Sequence, residues 1–255
     1  MCRKLTNMNY KLISCPTLPK NAVKHALIGE EYTDISNDLY KLKINTIPLK
    51  SNKNLIKEIS SHADMLSFSF GDKLIVSRGS LGESVLDFLK IDISYTDNIK
   101  SPYPNDVKLN GCILSKYLIC NPKTVSNEIL DNAKQKNLKI IETKQGYSKC
   151  SLCVVNDNAV ITEDAGLAHL LKIYQFDVLL ISPGSVYLSD EHYGFLGGSS
   201  AKISENEMYF SGDIEKHTDY HKILEFLNKY NIKAIYNKKL PLIDFGGLIS
   251  LTEYC

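Results

Sequence analysis

A chain of 255 residues is long for one ordinary core and short for two large ones. Its 44% apolar and 23% charged content excludes disorder along its whole length, and Lys+Arg 30 against Asp+Glu 29, a net charge of +1, provides no global basic field for a nucleic-acid partner. No apolar run approaches the roughly 20 residues of a membrane-crossing helix, and the basic start MCRKLTNMNYKLISC leads into no apolar stretch, so neither a membrane partner nor a signal peptide is expected.

In chain order, NYKLISCPTL, the helical region NDLYKLKI and NTIPLK form the faintest copy of a pattern that then recurs about every forty residues. From residue 65, MLSFSF-GDK-LIVS reads as strand, tight turn, strand, followed by a helix over SLGESVLDFLKI and a strand over DISYTD. From 109 the order returns as NGCILSKYLICN, TVSNEILDNAKQKN and LKIIETK. From 149 it returns as KCSLCVV-NDN-AVITED, AGLAHLLKIYQ and FDVLLISPG, and from 198 as GSSAKIS-ENE-MYFSGDI, HTDYHKILEFLNKYN and IKAIYNKK. The closing LPLIDFGGLISLTEYC supplies a strand to pair with the N-terminal copy.

Each copy switches from apolar alternation at period two to spacing at 3.6 and back. The GD, NDN and ENE turns suit hairpins. Glu83 or Ser84, Ser126 with Glu128, and Asp164 mark helix starts. The expected fold is therefore α/β: five ββαβ repeats in a closed pseudo-fivefold ring, an α/β propeller, with residues 1–255 as one domain. An open doubly wound sheet would carry one strand per helix, not three.

Seven cysteines (Cys2, Cys15, Cys112, Cys120, Cys150, Cys153, Cys255) are an odd, scattered set. That is the pattern of reduced thiols in a cytoplasmic protein, not of a disulfide framework. Cys150 and Cys153 form a CxxC, but no second pair at zinc-knuckle spacing exists and SLCVV is strand-like, so Cys153 reads as a small buried residue. Cys150 differs, because it lies where the strand begins, beside Lys149 and Tyr147. His217, Asp219 and His221 form H-x-D-x-H without a distant third ligand, and read better as polar residues of a helix start. No metal and no cofactor is expected.

The repeat resembles the pentein fold, also called the guanidino-group-modifying-enzyme (GME) fold. The likeness rests on HADMLSFSFGDKLIVS, QGYSKCSLCVVNDNAVITED, and GFLGGSSAKI with LIDFGGLISL, and covers nearly the whole chain. More narrowly, these motifs resemble an uncharacterised clostridial family of that fold with no assigned reaction. The resemblance implies a bacterial protein of guanidine-deiminase, dimethylarginine-hydrolase or amidinotransferase kind. In such enzymes a Cys thiolate attacks the guanidinium carbon, a His moves protons, and Asp or Glu carboxylates hold the cation. His62 and Asp64 match the H-x-D of guanidine deiminases and are expected on an extended segment, both facing one channel.

A ring of repeats would gather the loops at 62–64, 110–112, 147–150, 197–200 and 244–247 around one mouth. The expected catalytic pair is Cys150 and His62. Asp64, Asp244, Tyr147, Gly198 and Gly247 are expected to bind a small cationic guanidino or amino ligand. The chain departs from the agmatine-deiminase pattern after Gly246–Gly247, where Leu248, Ile249, Ser250 and Leu251 stand in place of a nucleophilic Cys. Cys255 comes too late, and Arg78 is the sole candidate for a substrate-carboxylate clamp and reads as a solvated turn residue. That gap keeps open an alternative: a non-catalytic pentein acting as a protein- or ribosome-docking module.

Overall fold

The computed structural model describes residues 9–82, 84–97 and 99–255; Cys2, Arg3 and the helix signal at Glu83 lie outside them. The N-terminal unit runs β1 (Tyr10–Leu12), β2 (Val23–Gly29), α1 (Thr33–Lys41) and β3 (Asn45–Leu49). A one-turn helix α2 (Ala63–Leu66) leads into β4 (Ser67–Ser69), β5 (Lys73–Ser77) and β6 (Asp92–Thr96). Next come β7 (Cys112–Leu114), β8 (Tyr117–Cys120), α3 (Asn127–Gln135) and β9 (Lys139–Glu142), then β10 (Cys153–Asn156), β11 (Ala159–Thr162), α4 (Ala165–Ile173) and β12 (Asp177–Leu180). The last unit is β13 (Ser200–Ser204), β14 (Glu207–Phe210), α5 (Tyr220–Lys229) and β15 (Lys233–Ile235), followed by β16 (Ile249–Tyr254).

These strands make five small sheets, one of four strands and four of three. In each three-stranded sheet the first two strands form an antiparallel hairpin, and the second pairs in parallel with the third. A parallel neighbour requires a crossover, which three of these units provide as a helix. In the unit from residue 153, Asp164 caps α4 by accepting from the Leu167 amide at 2.8 Å, while Leu167, Ala168 and Leu171 turn inward. Ser126 caps α3 in the same way through the Ile129 amide.

The N-terminal unit obtains its hairpin partner from the other end of the chain. β16 lies between β1 and β2, antiparallel to both, and β2 pairs in parallel with β3. One core cluster joins Leu27, Leu66, Leu118 and Leu251, so the C-terminal strand is buried among residues of the first three units. Each such leucine contributes about 1.5–3 kcal/mol on burial. Among the described residues no helix is long and apolar enough to cross a membrane.

Two local expectations are corrected. Among the described residues of SLGESVLDFLKI the one helical element is a single 3-10 turn, Asp87–Leu89, instead of the expected helix. Two glycines, Gly79 and Gly82, precede it, and Ser84 (φ 65°) and Lys90 (φ 52°) bracket it in the left-handed region, which interrupts an α-helix at both ends. Residues 62–64 are likewise not an extended segment. His62 is the extended residue (φ −67°, ψ 124°) ahead of α2, and Asp64 sits in that helix's first turn. The side chains therefore leave the backbone in different directions.

Candidate active site

Cys150 lies in a tight turn three residues ahead of β10, in which the Ser151 amide donates to the Tyr147 carbonyl and that of Leu152 to the Lys149 carbonyl. Asn110, on the loop before β7, fastens this turn. Its side-chain oxygen accepts from the amides of Lys149 (2.8 Å) and Cys150 (3.4 Å), and its Nδ2 donates to Cys150 Sγ at 2.9 Å. On the other side the thiol donates to Asp64 Oδ2 at 3.1 Å. The sulfur is thus held between a carboxylate and an amide N–H.

His62 and Asp244 form the second pair. His62 Nδ1 faces Asp244 Oδ1 at 3.6 Å, and both side chains are almost wholly buried. Asp244 is fixed by two backbone donors, Gly246 N at 3.0 Å and Phe195 N at 2.9 Å. The Asp64 amide donates to the Gly246 carbonyl, tying α2 to the C-terminal segment. Gly246 needs to be glycine twice over: its φ is +73°, and a Cβ there would lie 2.5 Å from His62 Cβ. At Gly198 an added Cβ would sit 2.1 Å from Asp244 Oδ1.

His62, Cys150, Asp244 and Tyr147 line one cavity of about 320 Å³. Two buried polar atoms nearby have no partner: His62 Nε2 and Asp64 Oδ1. Asp64 does not border this cavity. It touches the sulfur from behind and lines a separate void of about 30 Å³ together with Lys149. Gly198 and Gly247 do not line the larger cavity either. Gly247 donates its amide to the Gly198 carbonyl, and the pair supports the backbone against which Asp244 packs. Tyr147 lines the cavity, and its hydroxyl donates to Asp106 Oδ2 at 3.0 Å.

The electrostatics follow from burial among carboxylates. Burial raises the Asp64 carboxyl to about 6, with the positive charge of Lys149 pulling the other way. The Cys150 thiol is pushed well above its ordinary value by burial and then by the charges of Asp64 and Asp244, while the Asn110 hydrogen bond favours the thiolate. An empty site therefore keeps the sulfur protonated, and a cation placed beside it favours the thiolate.

Sequence reasoning placed Asn110 on a converging loop without giving it a role. It also missed the wall formed by Leu188, His192, Tyr193 and Phe195, which comes from a segment with no regular element and so carries no periodic signal. It missed Glu163 as well: burial pushes this carboxyl to about 7, and its Oε1 accepts from the Leu196 amide at 2.8 Å. Cys153 points into the core and its sulfur meets Met208 Sδ at 3.3 Å, so the CxxC places its two thiols in different surroundings. Arg78 pairs with Asp97 on the surface.

Asp219 precedes α5 and its carbonyl accepts from the Ile223 amide, but its side chain caps none of that helix's amides. Its carboxylate accepts from the Ser182 amide and from Lys222, each at 2.6 Å, and its own amide donates to His217 Nδ1. Among the described residues no group of three or more His, Cys, Asp or Glu is arranged to hold a metal ion.

The model of a family of unknown function, DUF6873, matches residues 27–249. No curated protein sequence matches the chain. Among solved structures, DDAH from Pseudomonas aeruginosa, a cysteine-to-serine mutant complexed with citrulline, aligns at TM-score 0.56 and 10% identity, over 92% of this chain and 100% of that one. The inosamine-phosphate amidinotransferase of Streptomyces griseus aligns at TM-score 0.56 and 9% identity, over 96% and 97%. The agmatine deiminase of C. jejuni aligns at 0.53 and 12%, over 92% of each chain. At such identities the likeness establishes the fold: this chain shares the pentein, or GME, fold.

Proposed function

We propose that this chain, which belongs to the family of unknown function DUF6873, is a cysteine-dependent hydrolase or amidinotransferase acting on a C–N bond of a small cationic guanidino or amino compound. The supporting observation is the Cys150 thiol held between Asp64 and Asn110 at the wall of a cavity that His62 and Asp244 share. The fold neighbours add support: one is named an agmatine deiminase and one an amidinotransferase, and a third, DDAH, holds citrulline. In this reading residues 1–255 act as one domain, the five units close into a ring, and β16 seals it beside β1 and β2.

Cys150 is the nucleophile. Asp244 holds the cation, and the positive charge of the bound ligand favours the thiolate, with Asp64 accepting the proton. The thiolate adds to the central guanidinium carbon. The C–N bond then breaks, and the departing amine takes a proton from His62, whose Nε2 has no protein partner. Water, giving a proton back to His62, next attacks that carbon; the C–S bond breaks and the thiolate returns. An acceptor amine in place of water makes the same sequence an amidino transfer. The nucleophile thus comes from the segment before β10 rather than from the C-terminal position of the agmatine-deiminase pattern, where Leu248 and Ile249 are buried core residues.

The test is a panel of arginine, agmatine and methylated arginines with detection of ureido products, run on the wild type and on Cys150→Ser. The proposal expects turnover that vanishes in Cys150→Ser. Turnover unaffected by that substitution refutes the assignment. No turnover and no ligand binding, either across this panel or with a simple alkylguanidine, would favour a non-catalytic docking protein.

A further inference from the structure

The cavity beside Cys150 has walls of unequal character. Its floor holds Cys150, His62 and Asp244, while Ile56, Ile59, Leu188, Tyr193 and Phe195 make an apolar sleeve. Glu58 adds a half-buried carboxylate to the same lining. Among the described residues that line it there is no lysine and no arginine. A ligand carboxylate in this space would meet no guanidinium or ammonium partner, only the imidazoles of His62, which faces Asp244, and of His192, which is exposed beside Ser189, and it would lose its water beside Glu58. Lys149, the buried cation closest in sequence to the nucleophile, lines the two small voids of about 30 and 20 Å³ and not this cavity. The only arginine among the described residues, Arg78, is on the surface with Asp97.

We infer that the ligand is a guanidinium or amidinium compound with an apolar body and no carboxylate, and that Glu58 excludes free amino acids such as arginine. This rests on the reading of the cavity as a cation site. The cation head sits against Asp244, and the hydrocarbon body fills the sleeve with its planar or alkyl faces on Tyr193 and Phe195. At about 320 Å³ the cavity is at the small end of the ~300–1,000 Å³ range of ligand pockets, which suits a short alkyl or aryl-alkyl chain.

The test is calorimetric titration of the full chain with a series that shares one head group: butylguanidine, 4-guanidinobutyrate and arginine. The inference expects butylguanidine to bind at least about tenfold more tightly than 4-guanidinobutyrate, equivalent to about 1.4 kcal/mol, with arginine also weaker. Glu58→Gln should narrow that gap, and Glu58→Lys should close or reverse it. Equal or tighter binding of 4-guanidinobutyrate or arginine by the wild type overturns the inference and leaves the cation site standing. A gap that Glu58→Lys does not change overturns the role given to Glu58. If butylguanidine, 4-guanidinobutyrate and arginine all fail to bind, the cation-site reading itself falls and takes this inference with it.

Discussion

Two cysteines three residues apart occupy opposite kinds of surroundings. Cys153 begins β10 and packs on Met208, within a cluster that includes Val155, Phe210 and Leu227. Cys150 lies in the preceding turn with a carboxylate on one side, an amide N–H on the other and a cavity in front. Burial raises both thiols, Cys153 to about 12. At Cys150 the charges of Asp64 and Asp244 come next, whereas at Cys153 a hydrogen bond to Ser200 opposes the rise ahead of the charge of Glu163. Of the two, only Cys150 borders a cavity where a ligand can reverse the effect. Burial alone makes a thiol inert; burial among groups arranged for a cation makes one that can be switched.

The sharpest way to break this contrast is to attack the packing side. Met208→Ala should cost about 2–5 kcal/mol in denaturant unfolding, the range for a buried methionine truncated in a filled core. It should leave ligand binding near Cys150 unchanged. Binding lost in step with stability would show that the two regions are not separable.

A second test uses pH. Asp64 has an ordinary value of 3.8 and a folded value of about 6. It therefore binds more protons when folded, and the stability it contributes is present below about pH 4 and is lost as pH rises through 6. The effect reaches at most about 3 kcal/mol, from about 1.4 kcal/mol per unit. Asp64→Asn, which stays neutral, should flatten this part of the stability curve between pH 4 and 7, leaving the slope that Glu163 supplies with its folded value of about 7. An unchanged curve would mean that Asp64 is not the carboxyl being raised.

The smallest expected effects come from paired serine substitutions. Cys153→Ser sets a hydroxyl beside Met208 and should cost about 1–3 kcal/mol. Cys150→Ser meets Asp64 Oδ2 and Asn110 Nδ2, both ready hydrogen-bond partners, and should cost under about 1 kcal/mol. Equal costs would remove the distinction between the two sites. Thermal or urea unfolding of the pair decides it.

The sequence made the hairpins legible because GDK, NDN and ENE stand between short alternating runs, and those turns form in the structure between the expected strands. It also made legible the return of the C-terminal strand to the N-terminal unit. The helix expected over SLGESVLDFLKI was lost because apolar spacing outweighed Gly79 and Gly82 in the reading, whereas in the chain the left-handed Ser84 and Lys90 limit it to one 3-10 turn. In the site, repeat equivalence brought His62, Cys150 and Asp244 into one neighbourhood despite their distance in sequence. It could not show that Asp64 would sit behind the sulfur, since that depends on α2 being a helical turn and not a strand. The role of Asn110 was illegible for a similar reason: three of its hydrogen bonds reach the turn at 149–150, about forty residues away.

The central claim is that a bound cation releases the Cys150 proton. The most direct measurement is thiolate absorbance near 240 nm against pH, taken as the difference between the wild type and Cys150→Ser, with and without saturating butylguanidine. The account predicts a midpoint well above the ordinary thiol value of about 8.5 in the free protein, moving down by at least about one unit when the cation is bound. A midpoint that stays in place with the ligand demonstrably bound would contradict it.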